Sequence, residues 1–499
     1  MTERWTQSPK VAVVGGGLAG LAAGCVLADS GLRVTLFERR SYLGGRASSY
    51  QHPGTGEVVD NCQHVLLGCC TNLVEFYQRI GSAKKIRWYD RLTFLEPGGR
   101  ASVIQTSALP APLHTAPAFL RAACLNLHDK VAIAAGMAAL PIAPRDTGES
   151  FLQWLRRHGQ TERAIERFWK TVLVSALNED LDLISIPYAA QVVRESFLKS
   201  PGAGRMGVPT VPLTELYSRA GEYIGTRGGE VRLRSSVESF RGEFADVKLL
   251  TAGPEEGFDF VVLAVPFDAL SRMLPQTTAA EPLRQSLGQF STSPITGIHL
   301  WFDRQITDLE HAVLLDRTIQ WMFHKSKLLE RGKSADGNGR AGRPPDSRRD
   351  AGATPDAGAT ADEVAMDAGG SYVELVVSSS KSLVEKSGQE ITDLGLAELR
   401  EFFPGARSAN LVKSTVIKEV HATYSPRPGI EARRPRPETV WPRIFLAGDW
   451  TATGWPATME GAVRSGYAAA ECVARVAGLR NAAFLVPDLP ASGFMRLFG

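Results

Sequence analysis

Gly15, Gly17 and Gly20 stand in the run Gly15-Gly16-Gly17-Leu18-Ala19-Gly20, between a short apolar stretch, Lys10 to Val14, and an apolar stretch of helical length, Leu18 to Ser30. Glycines at this spacing do phosphate chemistry. Gly15 permits a tight turn, Gly17 lets the backbone approach a pyrophosphate, and Gly20 lets a helix pack closely on a strand. The start of such a helix, at Leu18 and Ala19, offers free N–H groups and the positive end of its dipole to an anion. Glu38 follows Gly20 by about 18 residues, at the end of a second strand, Arg33 to Phe37, where a carboxylate accepts hydrogen bonds from a ribose diol. Arg39, Gly44, Gly45 and Arg46 come next and supply more flexible backbone and cations near the phosphates.

The pattern has a counterpart near the other end of the chain. Ile444-Phe445-Leu446-Ala447-Gly448-Asp449 is a strand ending in Gly-Asp, followed after a short loop by the helix that Ala457, Thr458 and Met459 introduce. Asp449 is placed to bind a ribityl chain or a water at the pyrophosphate. Backbone N–H groups at Thr458 and Met459 would face the N1–C2=O edge of a flavin, where charge gathers on reduction. Dinucleotide elements at both chain ends distinguish a large FAD-binding domain from a simple NAD domain, and FAD is the cofactor expected.

The elements that must carry these residues alternate as strand, helix and strand over about 30 residues, the βαβ unit of a parallel sheet. Gly31 serves as the residue that ends the first helix. Helical periodicity covers Phe119 to Ala139 and Ser150 to Leu177, with N-caps for the second available between Asp146 and Ser150. Strands are expected at Glu230–Phe240, Val247–Leu250 and Phe258–Val265. Others at Gly297–Phe302, Thr318–Phe323, Ser371–Ser378 and Leu411–Val420 alternate as an antiparallel sheet does. The fold class is α/β: a Rossmann-type FAD-binding domain interleaved with an α+β substrate domain. FAD-binding parts fall at 8–100, 211–290 and 426–480, a helical substrate or tunnel region at 101–210, and the antiparallel sheet at 291–425. Residues 332–370, rich in Gly, Ala, Asp, Arg and Pro, have too little apolar surface to offset their ordering and are expected to be a disordered insertion. The apolar, Pro-rich tail at 481–499, with Phe484, Leu485, Phe494 and Phe498, either docks on the body or touches a membrane surface.

Composition narrows the rest. With 499 residues, 44% hydrophobic residues, 22% charged residues and a net charge of +3, the chain suits an ordinary globular protein of more than one domain. No basic run interleaved with aromatics points to nucleic acid. Six cysteines, none in a CxxC pair, suggest small buried hydrophobes in a reducing cytoplasm rather than a metal site or a disulfide framework. The first ten residues lack the apolar core of a signal peptide, and the longest apolar stretch falls short of the roughly 20 residues that span a bilayer. The expected location is cytoplasmic, with peripheral contact at the inner face of the membrane.

On these motifs the sequence resembles the amine oxidase and phytoene desaturase superfamily of FAD oxidoreductases over nearly its full length, the 332–370 segment excepted. The resemblance implies that Val237 pairs with adenine through its backbone. A narrower resemblance, to hydroxysqualene dehydroxylases of bacterial hopanoid pathways, rests on Asp60-Asn61-Cys62-Gln63-His64-Val65-Leu66-Leu67-Gly68, on Gly448 to Gly466, and on Gly207-Val208-Pro209 with Pro212-Leu213. Cys62 departs from the glycine expected there. This resemblance implies hydride delivery from reduced flavin to an allylic carbon of a C30 isoprenoid alcohol as hydroxide departs, with a dry pocket and a proton donor at the leaving oxygen. It also implies a lipophilic isoprenoid as ligand and other squalene-pathway enzymes as partners. His64, Asp60 and Gln63 are the candidates for the polar catalytic group, and Trp450 and Trp455 for the substrate pocket. Competing readings are a carotenoid desaturase, an FAD amine oxidase, and a non-enzymatic prenyl-binding escort on the same fold.

Overall fold

The computed structural model describes residues 8–140, 146–242, 247–251, 253–329, 370–480 and 482–497. Residues 332–369 of the expected insertion, and Phe498 of the tail, lie outside them.

A five-stranded parallel sheet holds the glycine-rich turn. Its spatial order is Glu230–Arg232, Arg33–Phe37, Lys10–Val14, Phe260–Leu263 and Ile444–Leu446. Val11, Val13, Leu36, Val262 and Phe445 are buried on the face that helices cover, and Phe37, Val261 and Leu263 on the other, against a three-stranded sheet of Val237–Gly242, Val247–Thr251 and Glu256–Phe258. Segments from both chain ends meet here because each supplies only part of the sheet. The helix Leu18–Asp29 crosses the C-terminal helix Met459–Val476 closely: a methyl group on Gly466 would stand 2.1 Å from the Ala19 carbonyl oxygen. The first helix ends at Ser30 and Gly31, with φ +81° at Gly31, as expected.

A seven-stranded sheet lies beyond it, in the order Leu411–Tyr424, Thr292–Phe302, Ser371–Ser378, Trp321–Phe323, His311–Leu314, Arg91–Leu95 and Ala101–Gln105. Its pairs are antiparallel except His311–Leu314 with Arg91–Leu95. The four strands expected in this region are therefore present, His311–Leu314 is added to them, and two more come from residues before 110.

The long helices expected at 119–139 and 150–177 are interrupted. One helix runs Ala116–Arg121 and the next starts at Leu127, because Asn126 and Asp129 form a capping box that begins a new helix. Ser150 caps Phe151–Arg157 with Gln153; Gly159 then turns the chain at φ +65°, and Thr161 caps the next turn. Ile165–Lys170 and Arg194–Leu198 are π-helical, a geometry that gathers at functional sites. The tail is docked on the body. Glu471 accepts from the Phe484 and Leu485 amides, and the Phe494 amide donates to the Ala111 carbonyl at 2.9 Å.

Candidate FAD site and substrate cavity

A continuous cavity of about 1860 Å³ runs from the end of the parallel sheet to the inner face of the seven-stranded sheet. Ordinary small-molecule sites hold about 300–1,000 Å³, so there is room for two sizeable ligands. At the sheet end it is lined by Gly15, Gly17, Leu18, Ala19, Glu38, Arg39, Gly44, Gly45, Arg46, Val237, Gly448, Asp449, Ala457, Thr458 and Met459. All are residues singled out from the sequence. Gly16 and Gly20 of the glycine run do not line this cavity. A methyl on Gly16 would meet Leu43 and Glu38, and Gly20 sits under the turn. A methyl group there would lie 1.9 Å from the Gly15 carbonyl oxygen, so it serves the turn itself.

The local geometry fits a dinucleotide. Gly15 has φ +111°, and its amide donates to the Phe37 carbonyl at 2.8 Å. A methyl on Gly17 would meet nothing nearer than Gly45 Cα at 3.9 Å; it would project into space a phosphate can fill. Glu38 is buried and accepts from the Gly16 amide at 2.7 Å and the Arg40 amide at 2.8 Å. Each carboxylate oxygen keeps a second acceptor site for a diol. Arg46 donates to Asp449 at 2.5 Å and to the Ala422 carbonyl at 2.9 Å, which ties the two chain ends together at the cavity. Thr458 Oγ1 accepts from the Gly461 amide at 3.1 Å and caps the helix whose first turn borders the cavity.

Sequence reasoning missed Arg434, which holds the flavin loop from behind. Its buried guanidinium donates to the Asp449 carbonyl at 3.1 Å, to the Thr451 carbonyl, and to Tyr188 Oη at 3.0 Å. Trp450 and Trp455 line the cavity, and both are also fixed structurally. Trp450 donates to the Val265 carbonyl at 3.0 Å, and Arg464 stacks over Trp455 at 4.7 Å.

Much of the remaining wall is apolar, with Leu92, Phe94, Phe119, Phe168, Val313 and Trp321, and polar side chains such as Arg167, Ser175, Asn178, Lys418 and His421 line it as well. Gln63 and His64 line the cavity, whereas Asp60 does not. Asp60 is therefore removed from the catalytic candidates. It is buried behind the wall, bonded to Lys325 Nζ at 2.6 Å, Ser49 Oγ at 2.6 Å and the Leu213 amide at 3.1 Å. Burial alone would raise its pKa, but Lys325 and these hydrogen bonds bring it below the usual carboxylate range. His64 Nδ1 lies 2.7 Å from the Cys62 carbonyl, which can only accept, so Nδ1 carries the proton and Nε2 is an acceptor. Burial lowers the pKa of this ring and keeps it neutral. His64 thus suits an acceptor better than the proton donor expected of it.

Lys325 was also missed. Its side chain is 3% exposed and bonds Asp60, Gln63 Oε1 at 2.8 Å and, in a longer ion pair of 3.4 Å, Glu374. Two carboxylates share one ammonium. Burial pushes the Glu374 carboxyl up to about 7, against the opposing pull of Lys325. Between its ordinary value of 4.5 and about 7, the folded protein holds a proton here that the unfolded chain has released. Stability from this group is full below pH 4.5 and falls as pH rises through 7. Glu374→Gln, neutral at every pH, is expected to be more stable than the wild type by about 3 kcal/mol at pH 8 and equal to it at pH 4.5, compared by urea unfolding.

Fold and cavity together define a FAD-dependent oxidoreductase. The chain belongs to the flavin containing amine oxidoreductase family, which matches residues 18–474. It is 27% identical over 492 residues to the 15-cis-phytoene desaturase of Synechococcus elongatus, covering 93% of this chain and 95% of that protein. The zeta-carotene desaturase of a Synechocystis species is 25% identical over 490 residues, covering 93% and 97%. Among solved structures, putrescine oxidase bound to putrescine aligns with a TM-score of 0.64 at 18% identity, over 94% of this chain and 99% of that one. Cyclohexylamine oxidase from Brevibacterium oxydans aligns at 0.61 and 17%, over 94% and 99%. These two share the fold.

Proposed function

We propose that this oxidoreductase removes the hydroxyl group of a C30 isoprenoid alcohol, hydroxysqualene, to give squalene. The observation that carries the reading is a donor–acceptor pair, Gln63 and His64, on the wall of a cavity that Leu92, Phe94, Phe119, Phe168, Val313 and Trp321 also line. An alcohol can donate to His64 Nε2 and accept from the Gln63 amide. A pure hydrocarbon would leave both groups unpaired, at about 1–3 kcal/mol each. Bound FAD, in its reduced form, supplies the hydride that replaces the departing hydroxide. The chain orients the hydroxyl and keeps water from the electron-poor carbon through residues such as Phe94, Phe119, Phe168 and Trp321.

A second reading, oxidative desaturation of a long polyene precursor, is favoured by the relatives named as carotenoid desaturases. Both readings need a substrate taken from a bilayer. No helix among the described residues is long and apolar enough to cross a membrane. Instead, Leu113, Leu120, Leu127, Val131 and Phe494 are exposed, and Leu113 also lines the cavity. We place peripheral membrane contact on this face.

The test is to incubate FAD-loaded protein anaerobically with dithionite and hydroxysqualene in liposomes, and separately with phytoene and a quinone. Squalene in the first extract supports dehydroxylation. Its absence together with new double bonds in the second selects the desaturase.

A further inference from the structure

We propose that Lys325 is a positioning residue that fixes the polarity of the Gln63–His64 pair presented to the cavity. This inference rests on the cavity being the substrate site and deepens that reading. An ammonium has three donors and no acceptor. At 2.8 Å from Nζ, the Gln63 side chain must therefore turn its carbonyl oxygen toward Lys325. The nitrogen end is left facing the other way, where one N–H donates to the His64 carbonyl at 3.1 Å and the second remains to offer. His64 is locked independently by its Nδ1 contact with the Cys62 carbonyl. The segment thus presents a donor at Gln63 beside an acceptor at His64.

Lys325 itself is held from three parts of the chain. It opens the short helix Lys325–Leu328 after the strand Trp321–Phe323, and it pairs with Asp60 from the Val58–Asp60 strand and with Glu374 from the Ser371–Ser378 strand. Asp60 is anchored in turn by Ser49 and the Leu213 amide. Lys325 does not line the cavity, so it touches no substrate. Its grip on Oε1, with the His64 carbonyl accepting from the other end, holds the Gln63 amide against flipping. A flipped amide would present two acceptors, Gln63 Oε1 and His64 Nε2, and a hydroxyl has only one proton to give.

The readout is therefore discrimination between an alcohol and its hydrocarbon. Dissociation constants for hydroxysqualene and for squalene are measured on the FAD-loaded full chain in detergent micelles, from the change each causes in the flavin absorption bands. The Asp60→Asn/Lys325→Met variant removes the ammonium without leaving Asp60 charged. Wild type is expected to favour the alcohol by about 30-fold or more, the cost to the hydrocarbon of leaving two polar groups unpaired. The double variant is expected to lose that preference while binding squalene as before. Gln63→Met, an unbranched apolar replacement that leaves Lys325 and Asp60 paired, is expected to lose it equally, and serves alone if the double variant does not fold. Adding Gln63→Met to the double variant should change the ratio less than about twofold. A double variant that keeps the preference, a Gln63→Met protein that keeps it, or losses that multiply when the changes are combined would each overturn the positioning role. A wild type that binds both ligands equally would overturn it as well. A wild type that binds neither would instead overturn the substrate reading on which it rests.

Discussion

Gly15→Ala is expected to yield a protein that purifies without colour and cannot be reloaded with FAD. At φ +111° an L side chain is strained wherever it points, and here the added methyl would lie 2.4 Å from the Ala264 carbonyl oxygen. Neither partner can yield. The Gly15 amide is bonded to Phe37, and Ala264 is held by its own amide bond to the Val14 carbonyl at 2.8 Å. The turn must open, moving the first helix from the place where its N–H groups meet the pyrophosphate. An affinity loss of at least about 100-fold and a fall in melting temperature should appear together. Gly17→Ala separates the two effects. With 3.9 Å to its nearest neighbour, the methyl strains nothing in the protein, so the melting temperature of the apo form should stay near wild type. FAD retention should still fall, because the methyl occupies the approach of the phosphates. Flavin-to-protein absorbance ratios and thermal melts of both variants check this. Full flavin content in Gly15→Ala would refute it.

Lys325→Met is expected to cost about 3–5 kcal/mol of stability, the usual penalty for removing one partner of a buried ion pair. Asp60 would lose its one cationic partner while nearly inaccessible to water, and Gln63 Oε1 would lose its donor. Adding Asp60→Asn removes the stranded charge yet keeps an oxygen for Ser49 Oγ and the Leu213 amide. Most of the stability should return, to within about 1 kcal/mol of wild type. Urea unfolding of the single and double variants measures both values. A single variant as stable as wild type would show that Asp60 and Lys325 are not an ion pair in the folded state.

The glycine-rich turn, Glu38 and the Gly448-Asp449 strand end were legible in the sequence because each rests on short-range pattern: apolar runs, turn glycines and a fixed offset to an acid. The pairing of Arg46 with Asp449 was foreseeable only as proximity, since 403 residues separate them. Helix breaks at 122–126 and 158–161 were hidden by apolar spacing that continues through them, although Asn126 with Asp129 carried a capping signal. Asp60 looked catalytic because the family resemblance places the segment after Gly44-Gly45-Arg46 beneath the flavin. The strand Val58–Asp60 instead aims its carboxylate at Ser49 and Lys325, and sequence spacing does not reveal which face of so short a strand meets the cavity. Lys325 gave one weak sign, a cation two residues after the apolar Trp321-Met322-Phe323. Its partners lie 265 residues before it and 49 after, beyond any local rule.

Bound flavin and a C30 isoprenoid alcohol are expected to react inside one cavity. The direct measurement is a single turnover: protein-bound FAD is photoreduced without oxygen, mixed with hydroxysqualene, and followed in the visible flavin bands while squalene is quantified by mass spectrometry. Return of the oxidised bands with one squalene formed per flavin is the expected result. Flavin that stays reduced in the presence of bound hydroxysqualene, with no squalene formed, would contradict the claim.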